Sequence, residues 1–537
     1  MRTLLVGLNA KYIHSAAAVY SLAAYAREHA AASGEIRELE LSINQSHDEL
    51  LYRILREEAD CLAFSVYIWN VGTVTRLLRD LRALRPEAVL ILGGPEVSYG
   101  LAQTGIAEED YDYLIAGEGE RAFAGLLLKL SACPVPAYLG LSVQGKTVRG
   151  AVMADLDELP FYFAGRMERF AGRILYYEAS RGCPYHCSYC LSAAEDGLRL
   201  KSTARVLEEL SYLCEHGASL IKFVDRSFNA RPDAVRILEY LSALPEENPV
   251  RVHFEIEADT LTEPLLQAFS RLPAGRVQVE AGIQSTNPET LGACHRNPST
   301  DRLFANLRRL LEGGNLKVHA DLIAGLPYET AERFRRSFSE SYALGVDELQ
   351  LGFLKRLSGA PLASETELGL VFSPHPPYEI LRSPWISADE LMALKKVEDV
   401  LERFSNAGRF RAFMETLSGK MQDAYVMFEK LAAYLEERDK LFMPLSNAEE
   451  FALLAGFAGN DIGLLRALLR DFYASSSAEP PEGALRELAG KPEGAAAISR
   501  ELMKKAGLPG HRLQVRFLEG EPLLYDYSEG SGRVLPR

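Results

Sequence analysis

The chain has 537 residues, 47% hydrophobic and 25% charged, and its 74 acidic against 59 basic side chains leave a net charge of −15. That length exceeds what one core supports and, at roughly 150 residues per unit, points to several domains. The composition excludes a disordered or fibrous chain, and the acidic balance weighs against sequence-independent grip on nucleic acid. The opening run MRTLLVGLNAKYIHS is interrupted by Asn9 and Lys11 and has no small-residue cleavage signature. No later stretch sustains the ~20 apolar residues that cross a bilayer, so no membrane partner and a cytoplasmic location are expected. Seven cysteines, an odd number with three in one cluster, do not make a disulfide framework, and a reducing compartment leaves them free as thiolates for metal.

Residues 1–150 alternate short apolar runs with longer amphipathic stretches, the pattern of βαβ units around a mostly parallel sheet. Strands are predicted at 3–9, 36–43, 61–67, 88–94 and 111–117. Ligands of such a doubly wound domain sit beyond the carboxyl ends of the strands. Those ends carry Asn9, Tyr12, His14 and Ser15, then Ser65 and Tyr67, then GGPEV (Gly93, Gly94, Pro95, Glu96, Val97), then GEGE (Gly117, Glu118, Gly119, Glu120). The Pro- and Gly-containing stretch ACPVPAYLGLSVQG reads as a linker. Residues 151–365 alternate again, with strands predicted at 174–180, 219–225, 251–258, 276–283, 316–326 and 348–354. Six strands with helical crossovers predict a partial (β/α) barrel, whose chemistry belongs at the carboxyl-terminal mouth and whose missing strands leave a lateral opening. From 366 to 537 the pattern turns to long helices and closes with two short strand-like runs, a mostly helical third domain able to act as a cap or substrate domain.

Immediately after the first barrel strand comes SRGCPYHCSYCLS, in which Cys183, Cys187 and Cys190 follow C-x3-C-x2-C. Three thiolates on one loop can hold three irons of a four-iron, four-sulfur cluster and leave the fourth without a protein ligand. Two other readings stand beside this one. His186 can complete a Cys3His zinc site, although four ligands within eight residues make a cramped tetrahedron. Alternatively the thiols are buried and structural, as Cys61, Cys133, Cys214 and Cys294 are expected to be.

With Tyr189 just before the last cysteine, and with its strand context, the motif resembles the radical S-adenosylmethionine (radical SAM) superfamily. The resemblance implies that the open iron chelates SAM and that one-electron reduction releases a 5′-deoxyadenosyl radical, the protein positioning and shielding it. It further implies SAM contacts at Tyr189, at Asp225 in the FVDRSFN run that lacks the family's glycines, and at Glu255 and Glu257, paired at i, i+2 on one strand face. Glu280, Gln284 and Ser285 at the fourth strand's end, and Ile323 and Gly325 in the fifth, complete that expected set. A flavodoxin-like domain ahead of such a barrel is similar to the cobalamin-binding subclass. GGPEVS and GEGE then serve as loops whose glycines let backbone run beside a flat macrocycle. No Asp-x-His-x-x-Gly lower-ligand sequence is present, so His14 is read as a pocket or capping residue and the cobalamin as base-off. The resemblance implies a C-methyltransferase using a [4Fe-4S] cluster, SAM and cobalamin, with cobalamin-dependent rearrangement or cyclisation as the alternative and a non-catalytic carrier or sensor behind both. Its expected partners are a small-molecule or peptide substrate and an external one-electron reductant such as flavodoxin or ferredoxin.

Overall fold

The structure, a computed structural model, describes residues 1–194, 197–476, 478–506, 512–528 and 531–535. The chain divides into two compact units, one of residues 1–329 with 352–387 and the other of 330–351 with 388–537.

The first unit opens with β1 (Arg2–Asn9), whose residues 3–9 are all buried, as expected of a central strand covered on both faces. With β2 (Glu35–Ser42), β3 (Cys61–Ser65), β4 (Val89–Gly93) and β5 (Tyr113–Ile115) it forms parallel pairs in the order β2-β1-β3-β4-β5. Helices α1 (Ala17–His29), α2 (His47–Leu55), α3 (Val71–Leu84), α4 (Pro95–Ser98) and α5 (Glu120–Leu130) provide the connections. The order reverses between β1 and β3, and Gly7 pairs with Ser65 and Ser65 with Gly93, so the strand ends expected to carry a ligand lie side by side at the switch point. The stretch read as a linker departs from expectation. Its end forms β6 (Ser142–Gln144), which turns through Gly145 at φ +56° into β7 (Thr147–Arg149), and β7 extends the sheet beside β5. Three-residue edge strands are too short to leave a periodic signal, and the left-handed glycine between them was the available clue.

The second sheet contains β8 (Ile174–Tyr177), β11 (Leu220–Phe223), β12 (Arg251–Ile256), β13 (Val277–Gln284), β14 (Lys317–Ala324) and β15 (Glu348–Phe353), in that spatial order. A small antiparallel ribbon, β9 (Ser180–Gly182) with β10 (Leu198–Leu200), flanks the cysteine loop. Along the strands, Phe223, Val252, Phe254, Val279 and Val318 are fully buried, with Phe254 stacked 3.8 Å from Phe228. Alternate residues take the opposite face, where Lys222, His253 and Glu280 meet. The free edge at β8 is joined by the loop after β1. There Ile174 N donates to Ile13 O at 2.9 Å and Ser15 Oγ to Ile174 O at 2.8 Å, which brings the open side of the barrel against the ligand end of the first sheet.

The second unit is largely helical, with helices Ala388–Val400, Arg411–Lys420, Ala424–Glu436, Asn447–Ala458 and Ile462–Ser475 packed around buried Phe410, Phe413, Phe451 and Phe472. The two terminal strand-like runs form an antiparallel pair, Leu513–Leu518 with Glu521–Asp526. Among the described residues no helix is long and apolar enough to cross a membrane.

Candidate functional site

The cysteine loop is held from several sides. Asp225, buried after β11, accepts the Ala179 N–H at 3.0 Å, and burial pushes its carboxyl up to about 6. It braces the start of the loop and does not open onto either cavity described below. Gly182 sits at φ +84°, where an added Cβ would lie 2.1 Å from Gly197 O, so only glycine permits the ribbon to approach this closely. Ser188 N donates to Cys294 O at 2.9 Å, and Cys190 N to Cys187 O at 2.9 Å. Cys183 and Cys187 are buried, Cys190 is half-buried, and none is in a disulfide. Burial, then the neighbouring Cys190 and Cys187, push the Cys183 thiol up. Among the described residues no three His, Cys, Asp or Glu side chains converge on a single metal position; a cubane distributes its thiolates one per iron, so three unpaired sulfurs on one short, pinned loop fit that group.

Arg296, which the sequence reading missed, lies beside this loop. Its guanidinium donates to Glu257 Oε1 and Gly282 O, both at 2.6 Å, and reaches Cys187 Sγ at 3.7 Å. Glu257 is therefore committed to a buried ion pair. Burial raises the Tyr189 hydroxyl pKa, partly countered by Arg296. Gln284 adopts φ +66° at an irregularity between Gly282 and Gln284. Ser285 is buried with its Oγ accepting Asn287 N at 2.9 Å. Ile323 is half-buried on β14, and Gly325, at φ +87°, leaves only 2.6 Å between a virtual Cβ and Ile380. Glu280 accepts from His253 at 3.1 Å and Lys222 at 3.4 Å. Burial opposes its charge, yet the His253 bond and the Lys222 and His319 charges hold its carboxyl down at about 2. Glu255 lies nearby with its pKa raised by burial against the pull of Arg226.

Two cavities of about 420 and 470 Å³ lie where the first sheet meets the barrel, and Ala18, Ser65, Tyr67, Val224 and Arg226 line both. The first continues between the sheet and helices α1 and α5 as an apolar slot of Leu5, Val19, Leu22, Ala63, Ile91, Ile115 and Phe123. Its rim holds Gly93, Gly94, Pro95 and the GEGE residues 117–120. At Gly94, φ +110°, a Cβ would lie 2.5 Å from Val66 O, so this turn is closed to larger residues. A glycine-edged rim over a deep apolar slot suits a flat macrocycle with an aromatic tail. The second cavity is lined by Asn9, His14, Ser15, Trp69 and Tyr176, with Lys222 and Glu255 from the barrel. His14 Nδ1 is 2.6 Å from Tyr176 Oη, and burial, with Lys11, lowers its pKa. Three residues of the expected ligand set are placed elsewhere. Tyr12 is 65% exposed, while Glu96 and Val97 are buried off both cavities.

The GEGE carboxylates face arginines of the barrel. Arg181 reaches Glu120 at 2.5 Å, Glu178 at 2.9 Å and Glu118 at 3.4 Å, and Arg199 also bonds Glu118. Burial disfavours the Glu120 charge, but Arg181 holds its carboxyl below the usual range. Replacing Arg181 with methionine leaves buried carboxylates without their counter-charge and is expected to cost about 3–5 kcal/mol. Denaturant unfolding measures this, and a loss under about 1 kcal/mol would show the brace to be dispensable.

Residues 3–127 match the family model of the B12 binding domain, residues 177–340 that of the Radical SAM superfamily, and residues 366–505 that described as Protein of unknown function (DUF4080). The chain is 29% identical over 332 residues to the cobalamin-dependent radical SAM methyltransferase TokK of Streptomyces tokunonensis, a match covering 57% of this chain and 48% of that one. It is 30% identical over 325 residues to hopanoid C-3 methylase of Methylococcus capsulatus, covering 56% and 60% respectively. The chain thus spans about half the length of these relatives. It shares the fold of the cobalamin-dependent S-adenosylmethionine radical enzyme OxsB at a TM-score of 0.57 and 15% identity, covering 88% of this chain and 78% of that one. For the radical S-adenosylmethionine methyltransferase TsrM from Kitasatospora setae the TM-score is 0.55 at 18% identity, covering 70% and 78%.

Proposed function

We propose that this chain, in which residues 177–340 match the Radical SAM superfamily model and residues 3–127 that of the B12 binding domain, transfers a methyl group from cobalamin to an unactivated carbon of its substrate. The observation that carries this reading is the pair of adjoining cavities, whose shared walls come from Ser65 and Tyr67 on one side and Val224 and Arg226 on the other. Cys183, Cys187 and Cys190 are assigned to the [4Fe-4S] cluster. The glycine-edged rim at Gly93, Gly94, Gly117 and Gly119, with the slot behind it, is assigned to cobalamin. Glu255, Gln284, Ser285, Ile323 and Gly325 remain assigned to SAM, with Arg296 holding Glu257 in place beside the cluster loop. When bound, the cluster and SAM supply one-electron cleavage and hydrogen abstraction, and cobalamin supplies the methyl group. The chain's own part is to keep these groups around one volume from which water is excluded, since a carbon radical formed in bulk solvent is lost to side reactions. The methyltransferase names of TokK and hopanoid C-3 methylase support the reading. A small-molecule or peptide substrate, a one-electron donor of the flavodoxin or ferredoxin type and a cytoplasmic setting complete it.

The test is anaerobic turnover of protein reconstituted with iron, sulfide and cobalamin, given SAM labelled with deuterium in its methyl group and a metabolite extract from cells lacking the gene. Methyl transfer requires 5′-deoxyadenosine, S-adenosylhomocysteine and a product heavier by a labelled methyl group. Deoxyadenosine with an unlabelled, rearranged product would replace this reading with radical isomerisation. Absence of SAM cleavage would remove the enzymatic reading altogether.

A further inference from the structure

The second cavity contains two cations whose partners hold them loosely. Among the described residues lining it, the lysine, arginine and carboxylate side chains are Lys222, Arg226 and Glu255. Lys222 Nζ stands 3.4 Å from Glu280, and Arg226 Nη1 stands 3.4 Å from Glu255. Other buried pairs in the same unit are much closer: Arg296 to Glu257 is 2.6 Å, Arg181 to Glu120 is 2.5 Å and Lys201 to Glu209 is 2.8 Å. Since charge-assisted N–H···O bonds settle near 2.7–2.9 Å, 3.4 Å leaves donor capacity unspent. Both cations keep that capacity turned to open space, with side-chain exposures of 31% for Lys222 and 56% for Arg226. The neighbouring polar groups are already engaged, Asn9 with His14 O and Glu40, and His14 with Tyr176. Each cation thus has one carboxylate, Glu280 for Lys222 and Glu255 for Arg226, at a distance that leaves N–H groups of both free for a further oxyanion, whose hydrogen bonds are stronger in a largely apolar enclosure than in water.

We propose that Lys222 and Arg226 form an oxyanion-binding subsite in this chamber and that the substrate is an acid, anchored by a carboxylate or phosphate group with its apolar part along the aromatic wall of Tyr67, Trp69 and Tyr176. The proposal rests on the chamber being the reaction site, and it deepens that reading by naming the substrate class. Glu255 competes with the incoming anion for Arg226, so its neutralisation favours binding.

The test uses the protein loaded with its cluster, cobalamin and SAM, so that the cobalamin phosphate and the SAM carboxylate are already in place. Inorganic phosphate is titrated calorimetrically at constant ionic strength, with chloride as control. Saturable phosphate binding is expected, weakened about tenfold or more by Arg226→Gln and by Lys222→Met and tightened at least about threefold by Glu255→Gln. Iron and corrin contents at the wild-type level certify that each variant is folded. Phosphate binding that is absent, or unaffected by all three substitutions, overturns the proposal. A tenfold loss of SAM affinity in Arg226→Gln with phosphate binding intact assigns the pair to the SAM carboxylate and equally overturns it. Binding is read without turnover, so a failure of the methyl-transfer reading leaves this result legible, and the reverse.

Discussion

Alanine at Cys183, Cys187 and Cys190 together is expected to abolish iron retention and to lower SAM cleavage by at least about a thousandfold, because no other thiol can replace the set. Cys61 is 0% exposed and Cys294 likewise, and burial pushes the Cys61 and Cys294 thiols up to about 12, so both stay protonated and are poor iron ligands. Cobalamin uptake should be unchanged, since the glycine rim and apolar slot draw nothing from the cysteines themselves. Iron analysis, the iron–sulfur absorbance after anaerobic reconstitution and a deoxyadenosine assay provide the measurements. A variant that keeps about four irons per chain would refute the cluster assignment, and wild-type protein that holds a single zinc ion in place of iron would restore the Cys3His reading.

The converse loss is expected from the first sheet. At Gly94 an alanine would bring Cβ within 2.5 Å of Val66 O and 2.9 Å of Val66 N at φ +110°, a conformation that costs an L-residue about 1–3 kcal/mol before the clash is counted. The loop must therefore shift, and the rim with it. Ala63→Phe acts differently, filling the slot between Leu5, Ile91 and Ile115. Both variants should bind cobalamin at least about a hundredfold more weakly while keeping full iron, read as corrin absorbance remaining after gel filtration. Stoichiometric corrin in both would place the macrocycle elsewhere. Together with the cysteine variant, these changes separate the two cofactor sites on one chain.

The central parallel strands of both sheets were legible because buried parallel strands read as short continuous apolar runs. The cysteine spacing, GGPEVS and GEGE were legible because each concentrates rare residue types in a few positions. Arg296 was not, because a lone arginine in a helix-free loop has no pattern, and only folding shows that it reaches Cys187 and Glu257. The polar face of the barrel left a signal of which the sequence reading used only the Glu255 and Glu257 pair. In IKF, VHFEIE and VHADL, charged or histidine residues occupy every second position of strands whose other residues are apolar, which already implies a polar barrel interior containing Lys222, His253, Glu255, His319 and Asp321. Glu118 and Glu120 line the rim of the first cavity while their carboxylates go to Arg181 and Arg199, a pairing hidden in the sequence, which gives the position of a loop but not the partner each side chain finds.

The arginines that follow residue 160 reach back to the first sheet at several points, Arg166 and Arg169 to Glu38, Arg173 to Glu40, Arg181 to Glu120 and Arg199 to Glu118. The consequence concerns assembly. A fragment ending near residue 150 would strand Glu40, Glu118 and Glu120 without an arginine and leave Glu38 with Arg27 alone, so the corrinoid half cannot be excised as a self-sufficient module. Melting of residues 1–329 should then be a single cooperative event, with both halves gaining or losing order together.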